Sequence, residues 1–178
     1  DDNIIRNNLI HDKYGNPGAV GPNMIFVGGA GAASDTLSVL NNIIYNVIET
    51  VGDHAVAINV AQWAGNVYVY NNTVWNITSN DSGTDKYAYG VQFGNAAAQT
   101  AFIKNNIVSK LTSDDDNERA YFKVLSGATS TVANNLSDDT TNATYDAKDM
   151  GQTLNDTSAL IGKTEAQIDF VSVGVGTE

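Results

Sequence analysis

The chain has 178 residues but no cysteine, two prolines, two histidines and two arginines. Without cysteine there is no disulfide framework, no thiolate metal site and no thiol nucleophile. Lys plus Arg number only 9 against 20 Asp plus Glu, a formal net charge of −11. That balance excludes the basic footprint nucleic-acid binding requires, and equally disfavours anionic membrane surfaces. No apolar run approaches the ~20 residues of a membrane-spanning helix. The opening "DDNIIRNNLI" is strand-like and uncapped, as expected of a fragment or a processed product.

What is abundant is Asn (22), Ser plus Thr (27) and Gly (16). These residues suit turns and strands and are weak helix formers. The stretch "VYVYNNTVWN", Val67 to Asn76, resembles a hairpin, since asparagine tolerates the left-handed backbone of tight turns. The rest of the chain argues for another geometry. Asn-Asn recurs at Asn7-Asn8, Asn41-Asn42, Asn71-Asn72, Asn105-Asn106 and Asn134-Asn135, at separations of 34, 30, 34 and 29 residues. Two residues before each pair stand Ile5, Val39, Val69, Ile103 and Val132. Two residues after it stand Ile10, Ile44, Val74, Val108 and Ser137. A further apolar stretch precedes each of the last four pairs, around Ile25, Ile58, Val91 and Phe122.

A repeat of about thirty residues is the mark of stacked coils, with each strand lying parallel on its equivalent in the next turn. In such a coil Asn-Asn is a corner. The spacing predicts that one asparagine takes the left-handed backbone and the other points inward, forming a ladder with its copies.

On "NNLIHD", "NNIIYN", "NNTVWN", "NNIVSK" and "NNLSDD" the chain resembles the right-handed parallel β-helix repeat proteins, also called pectate-lyase-like. The resemblance covers roughly residues 1–140 and implies an all-β, right-handed parallel β-helix of about five coils, open at its ends. Residues 141–178 are expected to form a partial last coil or cap. In enzymes of that family the active groove lies along the outer face of one strand row and the loops before it. Alternation would point Ile25, Val56, Ile58, Val91, Phe93, Phe122 and Val124 inward here. Met24, Phe26, Ala57, Asn59, Gly90, Gln92, Tyr121 and Lys123 would then face outward. This face lacks the carboxylate cluster with a basic residue that the family's calcium-assisted lyases use. No catalytic residue is therefore assigned.

Two clusters remain as candidate sites. The loop residues Asp114, Asp115, Asp116 and Glu118, with Glu49, Asp53, Asp81 and Asp85 in neighbouring coils, offer hard oxygen ligands for calcium. Their spacing matches neither the EF-hand loop nor the glycine-aspartate nonapeptide, so a solvated acidic loop is the competing reading. Tyr45, Tyr68, Tyr70 and Trp75, with Trp63 in the turn preceding Tyr68, are candidates for carbohydrate or subunit contact. Cross-coil stacking that stabilises the sheet is their alternative. His11 and His54 belong to different coils and lack a third ligand.

N-x-Ser/Thr sequons begin at Asn71, Asn76, Asn80, Asn135, Asn142 and Asn155. Asn71 and Asn135 fall in the corner pair, where burial is expected. Asn76, Asn80, Asn142 and Asn155 are the better glycosylation candidates. The function expected is an extracellular or cell-surface structural or adhesive module, with self-association through the open ends and glycans as candidate partners. A polysaccharide-active enzyme fragment and a non-catalytic glycan-binding module are its rivals.

Overall fold

The computed structural model describes residues 1–14, 22–29, 31–50, 54–80, 87–93, 100–113, 119–124, 129–138 and 145–146. These contain strands and no helix, so none is long and apolar enough to cross a membrane. The strands come in triplets. The first is β1 (Asp2–Arg6), β2 (Leu9–Tyr14) and β3 (Asn23–Val27). Then follow β4 (Thr36–Leu40), β5 (Ile43–Glu49), β6 (His54–Val60), β7 (Asn66–Tyr70), β8 (Thr73–Ser79) and β9 (Tyr87–Phe93). The last two triplets are β10 (Thr100–Lys104), β11 (Ile107–Ser113) and β12 (Arg119–Val124), then β13 (Thr129–Ala133), β14 (Leu136–Ser137) and β15 (Tyr145–Asp146).

Every third strand pairs in parallel, giving three five-stranded sheets: β1-β4-β7-β10-β13, β2-β5-β8-β11-β14 and β3-β6-β9-β12-β15. This is a parallel β-solenoid. About three turns, β4 to β12, are covered by strands on both sides. The layers β1–β3 and β13–β15 are the outermost described ones, and β14 and β15 have two residues each. The expected count of about five coils differs slightly: five layers of strands are present, and about three of them are full turns.

The expected corner is present in every layer. Asn7, Asn41, Asn71, Asn105 and Asn134 all have φ between 54° and 57°, the left-handed region that asparagine enters at less cost than other side-chain-bearing residues. The second asparagine turns inward, and Asn42, Asn72, Asn106 and Asn135 are buried. Each amide Nδ2 donates to the Oδ1 of the next: Asn8 to Asn42 at 2.9 Å, Asn42 to Asn72 at 2.9 Å, Asn72 to Asn106 at 3.0 Å and Asn106 to Asn135 at 3.0 Å. The same Oδ1 atoms accept the backbone N–H of the preceding rung.

Between the sheets the core is a set of apolar columns. Ile5–Val39–Val69–Ile103–Val132 is one, read along the register. Several columns turn polar in the outer layers. Asn3 stands under Leu37, Lys13 under Val47, Ser130 beyond Ala101 and Ser137 beyond Val108.

Two features depart from simple alternation. In the second sheet the pairing passes over Asp12, Asn46, Asn76 and Lys110. These residues also have φ between 54° and 57°, so each coil bends a second time. In the third sheet the pairing passes over Met24, Ala57, Gly90 and Tyr121. Expected to face outward, Ala57 and Tyr121 instead lie in the main core, with Met24 packed against it. A Cβ on Gly90 would meet the Val108 side chain and, at 2.7 Å, the Tyr121 carbonyl oxygen. Val56, expected inward, joins Tyr89 and Ala120 in a separate cluster. A local bend that turns two successive residues inward, as at Ala57 and Ile58, reverses the face of every residue before it.

Candidate functional site

The outward rows of the three sheets are where ligands could meet the molecule. On the first sheet, register aligns Ser38, Tyr68, Phe102 and Thr131 in one row and Leu40, Tyr70, Lys104 and Ala133 in the next. Tyr68 stacks on Phe102 with centroids 4.9 Å apart and planes 10° from parallel. Tyr70 meets Tyr68 edge-on at 5.6 Å, and burial pushes its phenol pKa above the ordinary value, with Tyr68 adding to the effect. The Lys104 ammonium lies 5.9 Å from the Phe102 centroid.

On the second sheet His11, Tyr45 and Trp75 share a row. His11 stacks on Tyr45 at 5.0 Å and 6°, and the Lys110 ammonium sits 5.2 Å from the Trp75 ring. Beside this row runs a second polar ladder. Asn76 Nδ2 donates to Asn46 Oδ1 at 2.8 Å, and Asn46 Nδ2 donates to Asp12 Oδ1 at 2.9 Å. The Asn46 amide, and then His11 at 2.9 Å, hold the Asp12 carboxyl below the ordinary carboxylate range.

These geometries bear on what the aromatics can do. A sugar ring binds an aromatic platform through the exposed face of the π-system. In the His11–Tyr45 and Tyr68–Phe102 pairs one face of each ring is covered by its stacking partner. Trp63, expected near them at the surface, is 7% exposed and belongs to the main core. Its ring lies where a Cβ on Gly31 would fall, because the turn between β6 and β7 folds the indole inward.

The outer face of the third sheet is richer than its sequence promised. Lys123 Nζ donates to the Tyr89 hydroxyl at 2.6 Å and lies 4.4 Å from the Tyr89 centroid and 5.9 Å from that of Tyr87. Tyr87 stacks on Tyr89 at 4.4 Å and on His54 at 4.8 Å. Asn23 connects His54, at 3.3 Å, to the Asn59 amide, at 2.7 Å. The result is a polar and aromatic network across four successive strands, β3, β6, β9 and β12. Tyr89 is 2% and Lys123 6% exposed, so their contact is shielded from solvent, while Asn23 and Tyr87 are half-buried.

Asp114, Asp115, Asp116 and Glu118 lie outside the described residues, as do Asp53, Asp81 and Asp85. Glu49 is described and buried, with Oε1 accepting the Thr50 N–H at 2.9 Å. Among the described residues no group of three or more His, Cys, Asp or Glu is placed to hold a metal. Of the glycosylation candidates, Asn76 is tied into the surface ladder, Asn80 is exposed at the end of β8, and Asn142 and Asn155 lie outside the described residues.

Sequence reasoning missed Phe102, Lys104 and the second polar ladder. The ladder has a readable signal: Asp12, Asn46, Asn76 and Lys110 each stand five residues after the first asparagine of a pair. No family model, no curated protein and no solved structure matches this chain.

Proposed function

We propose that this chain is an extracellular structural or adhesive module, a stiff rod within a surface protein or fibre. The observation that carries the reading is the continuous amide ladder from Asn8 to Asn135, which ties every coil to the next at one register. A polar ladder buried from Asn42 to Asn135 resists both bending and slippage, because sliding one coil orphans its rungs. The paired aromatic rows support the same reading, since stacked rings reinforce contact between coils. The finer assignment, to the right-handed pectate-lyase-like superfamily, rests on the repeat motifs alone.

A polysaccharide-active enzyme is the second reading, favoured by the Lys123–Tyr89 contact on the outer face of the third sheet. A hydroxyl held by an ammonium is a chemically reasonable acid–base pair, though its burial requires the face to open for a substrate. Electron microscopy of the purified protein, with an absorbance assay for unsaturated products on acidic polysaccharides, separates the two. Rods or filaments without turnover support the structural module. Turnover that is lost on Tyr89→Phe substitution overturns it.

A further inference from the structure

We infer that Asn71, at the outer corner of the middle coil, is an N-glycosylation acceptor, and that its sequon is the one in an asparagine pair that the fold leaves usable. The inference rests on the extracellular reading above, since the modification occurs on secretory chains.

Sequence position alone groups Asn71 with Asn135, because both belong to the repeated pair and both open a sequon. The structure separates them. Asn135 is the inward member of its pair. It is 1% exposed, its Nδ2 donates to the Ile103 carbonyl oxygen at 2.9 Å, and its Oδ1 accepts from Asn106. A glycan on that nitrogen would have to occupy the core and would break the ladder. Asn71 is the outward member. It is exposed, takes the left-handed corner conformation at φ 57°, and binds the next coil only through its backbone N–H, 3.2 Å from the Lys104 carbonyl oxygen. Among the described residues its side-chain amide makes no hydrogen bond. Asn76 differs again, because its Nδ2 is held by the 2.8 Å bond it donates to Asn46.

In the transfer, the Asn71 amide nitrogen bonds to the anomeric carbon of a lipid-pyrophosphate-linked oligosaccharide. The bond from the anomeric carbon to the pyrophosphate oxygen breaks, the lipid pyrophosphate leaves with the electron pair, and the amide proton passes to a base on the transferase. The reaction can precede closure of the corner, because the Asn72 N–H finds its partner only in Asn106, 34 residues further along the chain. A chain modified at Asn71 can still form every rung. A chain modified at Asn135 cannot, and so should be missing from the folded, secreted population.

The test is expression of the full chain in a secretory host that glycosylates, with peptide mapping before and after enzymatic removal of N-glycans. Asn71 should be occupied and Asn135 bare in the secreted protein. The Thr73→Val variant removes the sequon while leaving the corner asparagine in place, and should lose the Asn71 glycan without a change in the circular dichroism of the deglycosylated protein. An unmodified Asn71 in folded, secreted protein overturns the assignment, as does occupancy at Asn135. Because the host supplies the secretory route, a bare Asn71 beside an occupied Asn80 would count against this site without touching the structural reading. Failure of rods to form would count against the structural reading without touching this site.

Discussion

Asn71 and Asn72 are adjacent and chemically identical, yet their replacement by alanine should have very different consequences. The Asn72 Oδ1 accepts the Asn42 backbone N–H at 3.0 Å and the Asn42 Nδ2 at 2.9 Å. Its Nδ2 faces Asn106 Oδ1 at 3.0 Å, the Val39 carbonyl oxygen at 2.9 Å and the Tyr70 carbonyl oxygen at 3.1 Å. Asn72→Ala removes all of these where water cannot substitute, because Asn42, Asn72 and Asn106 are fully buried. The Asn42 backbone N–H is left without an acceptor, which costs about 1–3 kcal/mol by itself. Loss of the remaining bonds adds ~0.5–1.5 kcal/mol each where partners are only partly compensated. The total is about 4 kcal/mol, a large share of the ~5–15 kcal/mol that holds a typical domain. Asn71→Ala removes no side-chain hydrogen bond among the described residues and only puts a residue less tolerant of the left-handed backbone at φ 57°, at a cost of about 1 kcal/mol. Urea titration by circular dichroism of the two variants gives the comparison, with Asn71→Gly as the control for backbone strain. Equal losses for the two alanine variants, or a loss under ~1 kcal/mol for Asn72→Ala, would refute the ladder as the main axial restraint.

Other perturbations follow from single contacts. Lys110 holds a left-handed backbone at φ 57° in a column otherwise made of Asp12, Asn46 and Asn76, so Lys110→Asn should raise stability by about 1 kcal/mol, and an unchanged or lower thermal midpoint would count against it. Gly65→Ala should destabilise by about 3 kcal/mol, because a Cβ there runs into the Asp35 carbonyl oxygen, which as backbone cannot swing aside; wild-type stability in chemical denaturation would contradict this. The Asp12 carboxyl is depressed in the folded state by Asn46 and His11. Its contribution is therefore full above the ordinary carboxylate value and is lost as pH falls through the lower folded value. Asp12→Asn should flatten the acid limb of the stability–pH curve below about pH 4, and an identical limb in both proteins would show that the ladder does not bind the ionised form.

The pairs of asparagines, their near-constant separation and the apolar residues two positions either side were enough to read a parallel coil, its corners and its inner ladder from the sequence. They are legible because each is local: the left-handed conformation is a property of the asparagine itself, and the inward columns follow from period-two alternation. Alternation failed at Ala57, Gly90 and Tyr121 for a reason no single strand contains. Two successive residues turn inward there, and the paired registers of β3, β6, β9 and β12 accommodate the bend together. The acidic residues Asp114, Asp115, Asp116 and Glu118, read from the sequence as a solvated loop or a calcium ligand set, lie outside the described residues.

By itself, then, the sequence determined that the chain coils, that each asparagine pair is a corner and that one member of the pair turns inward; which member does so, and the second bend at Asp12, Asn46, Asn76 and Lys110, came from the structure. Tertiary structure decided how the faces are used. Tyr68 pairs with Phe102, which is 34 residues away, and His11 with Tyr45, also 34 away, so each ring covers a face of its neighbour. Lys123 reaches Tyr89 across one coil and is buried against it, though both stand on an outward row. Exposure, unlike backbone conformation, depends on what the neighbouring coils place alongside a residue. That is why Trp63 is core and Asn71 is surface, against what their places in the sequence suggested.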